Sequence, residues 1–502
     1  MNIETARATH ASSPQASEHV DVLIVGAGIS GIGSAYHLRR DLPDTRFVIL
    51  ESQESFGGTW LTHRYPGIRS DSDLHTFGYS FKPWVGPPIA TAAEILAYMG
   101  EVITENDLER HIRYGHRIES ASWSSDTKVW TIEAIKLRSG ERVAFTANFL
   151  WMCQGYYRHS EGYTPEWPGM DKFKGRIVHP QLWPDDIELK DKRVVVIGSG
   201  ATAATLIPSI ADKCAHVTML QRSPTFFRLG RNAIELAEQL RQLQVKEEWI
   251  HEIVRRKILF EQDAFTRRCV AEPEQVTKEL IGQITAVLGP DYDVATHFTP
   301  KYRPWRQRIA FVPDADLFYG IKSGKASVVT DEIDRFTDNG LLLKSGQQLD
   351  ADIIVTATGF NLCVLGDIAF TIDGKPLDFA GSVTYRGMMF TGVPNLAWVF
   401  GYFRASWTLR TDLVAEFVCR LLKHMKEQGT RKVEVALRPE DHNMPLLSWI
   451  DPENFNPGYM MRNMHLLPKR GDKAEWQHNQ DYWAEKDQFP AIDLDDKAFV
   501  YE

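Results

Sequence analysis

Two glycine-rich loops carry the chemistry that residue types alone make legible: Gly26-Ala27-Gly28-Ile29-Ser30-Gly31 and Gly198-Ser199-Gly200-Ala201-Thr202-Ala203. Each follows a short apolar run, residues 20–25 and 193–197, and each opens a stretch with helical spacing. A strand that turns through glycines into a helix suits an anion. Gly26 and Gly28 allow a tight turn and a close backbone approach to a pyrophosphate, and the helix N–H groups point at its charge. Gly31 lets helix and strand pack closely. The motif alone is weak, but the strand before it, the helix after it and an acid at Glu51 together define a dinucleotide site. Glu51 suits the hydroxyls of an adenosine ribose. In the second unit the strand His216–Gln221 runs instead into Arg222-Ser223, and a guanidinium there pairs with a 2′-phosphate through a forked, charge-assisted contact. The contrast assigns FAD to the first unit and NADPH to the second.

Between the loops lie two further patterns. Gly57-Gly58-Thr59-Trp60, Tyr65-Pro66-Gly67 and Asp71 read as a loop with an aromatic able to lie against a flat ring. Phe173, Gly175, His179, Trp183 and Pro184 fall in the order F-x-G-x-x-x-H-x-x-x-W-P. Together with the two loops, these patterns resemble the type I Baeyer–Villiger monooxygenases, and the likeness extends over nearly the whole chain.

The resemblance implies a FAD-dependent, NADPH-consuming enzyme that converts ketones to esters or lactones through a C4a-peroxyflavin, and that also oxidises sulfides or thioamides. It implies flavin contacts from Thr59, Trp60, Leu61, Thr62, Arg69, Ser70 and Asp71, with Ile118 near the adenine. The second nucleotide would lie against Gly198, Ser199, Gly200, Ala201, Thr202, Ala203 and Ala204, with Gln221, Arg222 and Ser223. Arg308 is the expected catalytic cation, oriented by Asp71, with Arg306 as its competitor; His179 and Trp183 would couple domain movement to catalysis. One departure stands at Gln307, where many relatives carry a lysine for the 2′-phosphate. The competing readings are an oxygenase acting mainly on sulfur or nitrogen, and a non-catalytic FAD/NADP redox sensor.

The elements that must position these residues follow from the same pattern. The fold class is α/β, with two Rossmann-like domains, an antiparallel β insert over 112–153 and a helical insertion. Expected boundaries are a lead-in at 1–18, a FAD domain at 19–157 and 360–502, a linker at 158–190, an NADP domain at 191–229 and 298–359, and the insertion at 230–297. Trp249, Phe260 and Phe265 in the insertion would pack in the core or line the substrate cavity. Thr91 and Glu94 form a capping box that opens a core helix.

Length and composition set outer limits. A chain of 502 residues amounts to about three domains at ~150 residues each. A net charge of -9 offers no basic face, so nucleic acid is not expected. Five cysteines without a C-x-x-C pair favour neither zinc nor a redox dithiol. The uncharged run from Val194 to Ala211 is broken by glycines and Pro208 and reads as strand and turn, not a membrane span. The expectation is a cytoplasmic enzyme whose partners are dioxygen and a small hydrophobic ketone or sulfide.

Overall fold

Val22, Leu23, Ile24 and Val25 are all buried, so their strand has to lie inside a sheet covered on both faces. In the computed structural model, which describes residues 16–502, that strand is Ala16–Val25. It pairs in parallel with Phe47–Leu50 on one side and Arg142–Met152 on the other. The alternation of its side chains divides two cores: Val22 and Ile24 belong to one, Leu23 and Val25 to the other. Beyond Arg142–Met152 the sheet turns antiparallel through Val129–Lys136 and His116–Ser124. The far end of Arg142–Met152 leaves this pairing and takes Leu396–Trp398 as a parallel neighbour instead. Helices Ile29–Asp41 and Trp407–Gln428 cover the first core and meet through His37 and Asp412, 3.1 Å apart.

The second unit is a five-stranded parallel sheet. Its strands run in the order Ala326–Thr330, His216–Gln221, Arg193–Ile197, Ile353–Thr356 and Arg176–Val178. The last of these falls within residues 158–190, expected from the sequence to be a linker. Its residues Arg176–Val178 are an edge strand of the second sheet, because Ile353–Thr356 otherwise has an open side. The expected lead-in, residues 1–18, lies outside the described residues except at its end, where the first strand has already begun at Ala16.

Residues 235–298 form four helices, Glu235–Gln242, Glu247–Ala271, Pro273–Leu288 and Val294–Phe298. The long Glu247–Ala271 helix buries only Ile250, His251, Val254, Arg255 and Cys269. Trp249 and Phe260, 64% and 66% exposed, therefore fall on its outer face, in neither core nor cavity. Phe265 lies 4.4 Å under the Arg228 guanidinium. The Thr91–Glu94 capping box opens the helix Ala92–Glu105. Near the C-terminus, Arg410 is fully buried against Glu485 at 2.9 Å and also donates to the Phe400 carbonyl, the full pairing that a buried charge requires. No helix among the described residues is long and apolar enough to cross a membrane.

Candidate functional site

The first glycine loop opens onto a cavity of about 590 Å³. A Cβ on Gly31 would sit 1.8 Å from the Gly26 carbonyl oxygen, so glycine is what brings helix and strand this close. Gly28 faces Gly58 of the second motif: a Cβ on Gly58 would come within 3.3 Å of Gly28 Cα. The helix Ile29–Asp41 begins without a side-chain cap, leaving its first amides to a ligand. Ser30 Oγ accepts from Trp407 Nε1 at 2.8 Å and links this helix to the C-terminal one. The Glu51 carboxylate is buried and accepts the Ala27 and Gln53 amides, each at 2.7 Å. Burial raises its pKa, and those hydrogen bonds oppose the shift. Four lone-pair sites on a carboxylate leave room for a ribose hydroxyl. Ile118 lines the same wall.

The second motif divides its residues between cavity and scaffold. Thr59, Trp60, Arg69 and Asp71 line the cavity, and Trp60 meets Phe77 edge to face at 5.6 Å. Leu61, Thr62 and Ser70 do not line it. Thr62 Oγ1 turns back to the Gly58 carbonyl at 3.1 Å, and the buried Ser70 Oγ accepts from the Ala90 amide at 3.2 Å. Arg69 donates to Asp316 of the second unit at 2.6 Å. Tyr65 belongs to the second unit's core. Gly67, at φ +76°, lies where a Cβ would be 1.7 Å from Ser209 Oγ. The Tyr-Pro-Gly turn is thus a bracket between the units, which explains a rigid turn at that point.

Arg308, remote from Asp71 in sequence, lies beside it in the cavity wall. Its Nη2 donates to both carboxylate oxygens, at 3.0 and 2.9 Å. Both side chains are about a third exposed (34% each), so the pair contributes little stability; its effect is to aim the guanidinium. Burial works against the charge, but the carboxylate of Asp71 holds the group above its ordinary pKa. Arg306 instead points to Glu453 at the surface, 3.0 Å away, and does not line the cavity. Sequence reasoning missed the tyrosines. Tyr156 donates to Tyr157 at 2.8 Å and stacks on Trp407 at 5.2 Å. Burial keeps the phenols of Tyr156, Tyr157 and Tyr459 protonated well past neutrality. The Tyr-Tyr pair after Gly155 was a visible signal. His63, also missed, stacks on Phe360 at 5.3 Å, and burial, with His159 and His179 nearby, lowers it to about 3.

At the second loop, Gly200 precedes the helix Ala201–Ile210, which again has no side-chain cap. Ala201 and Thr202 reach the shared cavity, whereas Ala203 and Ala204 are buried in the sheet's core. Gly198 sits against Ala357, and Ser199 Oγ lies 2.9 Å from Thr225 Oγ1. Gln221 is buried, its amide donating to the His297 carbonyl at 2.6 Å, so it fixes the strand end and does not face out. Arg222 and Ser223 are exposed beyond it. In the expected linker, His179 Nε2 donates to the Gly359 carbonyl at 3.1 Å and Nδ1 accepts the Gln181 amide at 3.2 Å. Trp183 packs against the second unit's core.

Several buried polar atoms on the cavity wall have no protein partner: Arg69 Nη2, His63 Nε2 and both amide atoms of Gln154. Buried groups of that kind are normally paired, so the wall fits a ligand rich in donors and acceptors, as a dinucleotide with a flat heterocycle is. Two nucleotide-binding units facing one cavity, with an arginine–carboxylate pair in its wall, define a class of two-nucleotide oxidoreductase. The chain belongs to the flavin-binding monooxygenases. Residues 19–233 match the family model described as flavin-binding monooxygenase-like. The chain is 45% identical to the FAD-containing monooxygenase EthA of Mycobacterium tuberculosis over 93% of its own length and 94% of the relative's. It is 42% identical to the probable FAD-binding monooxygenase AlmA of Acinetobacter baylyi, over 97% and 96%. A steroid monooxygenase bound to NADP shares the fold with a TM-score of 0.75 at 23% identity, covering 96% of this chain and 99% of that one. A cyclohexanone monooxygenase bound to ε-caprolactone does so with 0.73 at 21%, over 97% and 100%.

Proposed function

We propose that this protein is a Baeyer–Villiger monooxygenase: a ketone, dioxygen, NADPH and a proton give an ester or lactone, water and NADP⁺. FAD would be held by the loop at residues 26–31, Glu51, Thr59, Trp60, Arg69 and Ile118, and NADPH by the loop at 198–204 with Arg222. Reduced flavin, when bound, supplies the activation of dioxygen. The observation that carries the reading is the Arg308–Asp71 pair on the wall between the two units. Insertion beside a carbonyl requires an anionic oxygen to survive in a place with little water, and then a second negative oxygen to be supported after attack. Arg308 meets both needs, because a guanidinium keeps its charge at any working pH and offers several donors. Asp71 occupies one nitrogen of the fork and so fixes its direction. The phenols of Tyr156, buried, and Tyr157, partly buried, would limit water there without adding a charge of their own. An oxygenase acting only on soft sulfur would need no such cation.

The test is Arg308→Ala. Loss of one preorganised donor costs about 3 kcal/mol, or more than a hundredfold. NADPH should still bleach the yellow flavin at the normal rate, while mass spectrometry of ketone reactions loses the product heavier by one oxygen atom. Ester formation within a few-fold of wild type would overturn the assignment.

A further inference from the structure

A second cavity, of about 600 Å³, opens between the Glu247–Ala271 helix and the C-terminal segment. Ala405 belongs to its wall and to that of the flavin cavity, so only the turn at residues 402–407 separates the two. Tyr402 and Trp407 face one side of that turn; Phe403 and Arg404 face the other. Part of the second cavity is aromatic. Phe403 stacks on Phe455 at 5.0 Å and Trp449 on His478 at 4.7 Å.

The rest carries three arginines, Arg267, Arg404 and Arg470, and three carboxylates, Asp263, Asp451 and Asp481; Arg404 lies on the shared turn. Its Nη2 donates to the Trp305 carbonyl at 3.2 Å and to both oxygens of Asn454, at 2.6 and 2.9 Å. Arg303 donates to the same two oxygens at 2.9 and 2.8 Å. Two guanidiniums thus share one asparagine, and among the described residues no carboxylate pairs with either. The Arg404 Nε is buried without a hydrogen-bond partner, although the guanidinium lies 5.7 Å over the Phe455 ring. Of the carboxylates on the cavity wall, Asp263 and Asp481 pair with Arg267, at 2.8 and 3.3 Å, while Asp451 accepts the Glu453 amide at 3.0 Å and reaches neither Arg303 nor Arg404 as an ion pair. Burial, then the charge of Arg303, lowers Arg404 to about 10, so it is still a cation at neutral pH. A clamp holding residues 303–306 would explain the Nη2 bonds. The contact over Phe455 favours a cation there, but neither it nor the clamp satisfies the orphaned Nε. Two close like charges without a counter-ion are costly, and a bound anion relieves them.

We propose that this second cavity is the far half of the substrate site and receives the anionic end of an elongated oxo acid. The carboxylate would lie on Arg404, the chain along Phe403 and Phe455, and the carbonyl past Ala405 toward Arg308. The reacting end rests on the Baeyer–Villiger reading; the anion subsite does not.

The two parts separate in calorimetry on the flavin-loaded protein with octanoate and methyl octanoate, neither of which can be oxygenated at a ketone. Octanoate should bind at least about tenfold tighter than its ester, a difference of one charged contact. In Arg404→Gln that preference disappears, and in Arg404→Lys, which keeps the charge, most of it remains. Equal affinity of the two ligands for the wild type overturns the proposal, as does an equal loss of both in Arg404→Gln together with retention of both in Arg404→Lys. Turnover of 8-oxononanoate then tests the other half. Octanoate binding that depends on Arg404, with no oxygen gained by the oxo acid or by neutral ketones, sinks the Baeyer–Villiger reading and leaves the anion site standing. If neutral ketones gain oxygen and the oxo acid does not, the second cavity is not the far half of the substrate site and the proposal is overturned. Oxygenation of neutral ketones with no octanoate binding does the reverse.

Discussion

At Glu51 one carboxylate has two tasks, and they pull its protonation in opposite directions. It accepts the Ala27 and Gln53 amides that shape the loop, and in the proposed FAD site it would accept a ribose hydroxyl as well. Burial raises its folded pKa above an unfolded value near 4.3. The folded apoprotein therefore binds the proton more tightly, and this stabilisation is present at low pH and lost as pH rises through the folded value. Glu51→Gln has no such loss. The melting temperature of the Glu51→Gln apoprotein minus that of wild type should therefore increase as pH rises from about 4, near the unfolded value, to neutrality. FAD affinity should meanwhile fall about 10- to 100-fold, the worth of a hydrogen bond to a charged group. A pH-independent difference in melting would show that burial is not what perturbs this acid. The spacing from the glycine loop made Glu51 legible in sequence. No spacing linked Arg308 to Tyr156, Tyr157 and Tyr459, because that contact is made by folding alone.

The two strand–loop–helix elements look alike in sequence and differ in how tightly they are built. The Cβ of an alanine at 31 would meet the backbone oxygen of Gly26 at 1.8 Å, whereas one at 200 meets nothing within 4 Å. Backbone cannot step aside as a flexible side chain can, so Gly31→Ala forces the helix off the strand, at the ~1–3 kcal/mol of overpacking or more. Gly200→Ala leaves the protein's own packing alone, but puts a methyl group where, in the proposed NADPH site, the backbone would approach a pyrophosphate. Purified Gly31→Ala should melt lower and come out poor in flavin. Gly200→Ala should melt like wild type and show a raised KM for NADPH. A lowered melting temperature for Gly200→Ala would mean that its loop is load-sharing in the fold rather than kept clear for a ligand. Periodicity revealed both elements, since buried strands and amphipathic helices write themselves into local pattern. It failed for Trp249 and Phe260, because an apolar side chain on the outer face of a long helix looks in sequence like one on the inner face.

On the scale of the whole molecule, the two units are joined by contacts whose residues look unremarkable one at a time. Tyr65 of the first unit sits in the core of the second, and Arg69 reaches Asp316. The return strand Phe360–Leu362 pairs with Tyr157–Gly162, and His179 is fitted over that crossing. A Cβ on Gly162 would fall 2.0 Å from the imidazole Cε1, and Nε2 holds the Gly359 carbonyl. Gly359 itself has φ +105°, a conformation suited to the point where the chain passes between units. Burial lowers the His179 pKa, against the Gly359 contact, so the ring acts through shape and one hydrogen bond and carries no charge in neutral solution. Removing either half of this fit should loosen the crossing without touching a nucleotide. His179→Ala and Gly162→Ala should therefore both retain flavin and both consume NADPH. They should release a larger share of the oxygen as hydrogen peroxide, because units that no longer hold their relative position cannot keep water from the site. The ratio of peroxide to oxygenated product, measured at saturating ketone, reads this directly. If both variants stay as coupled as wild type, the histidine is only packing and the fit over Gly162 has no part in catalysis.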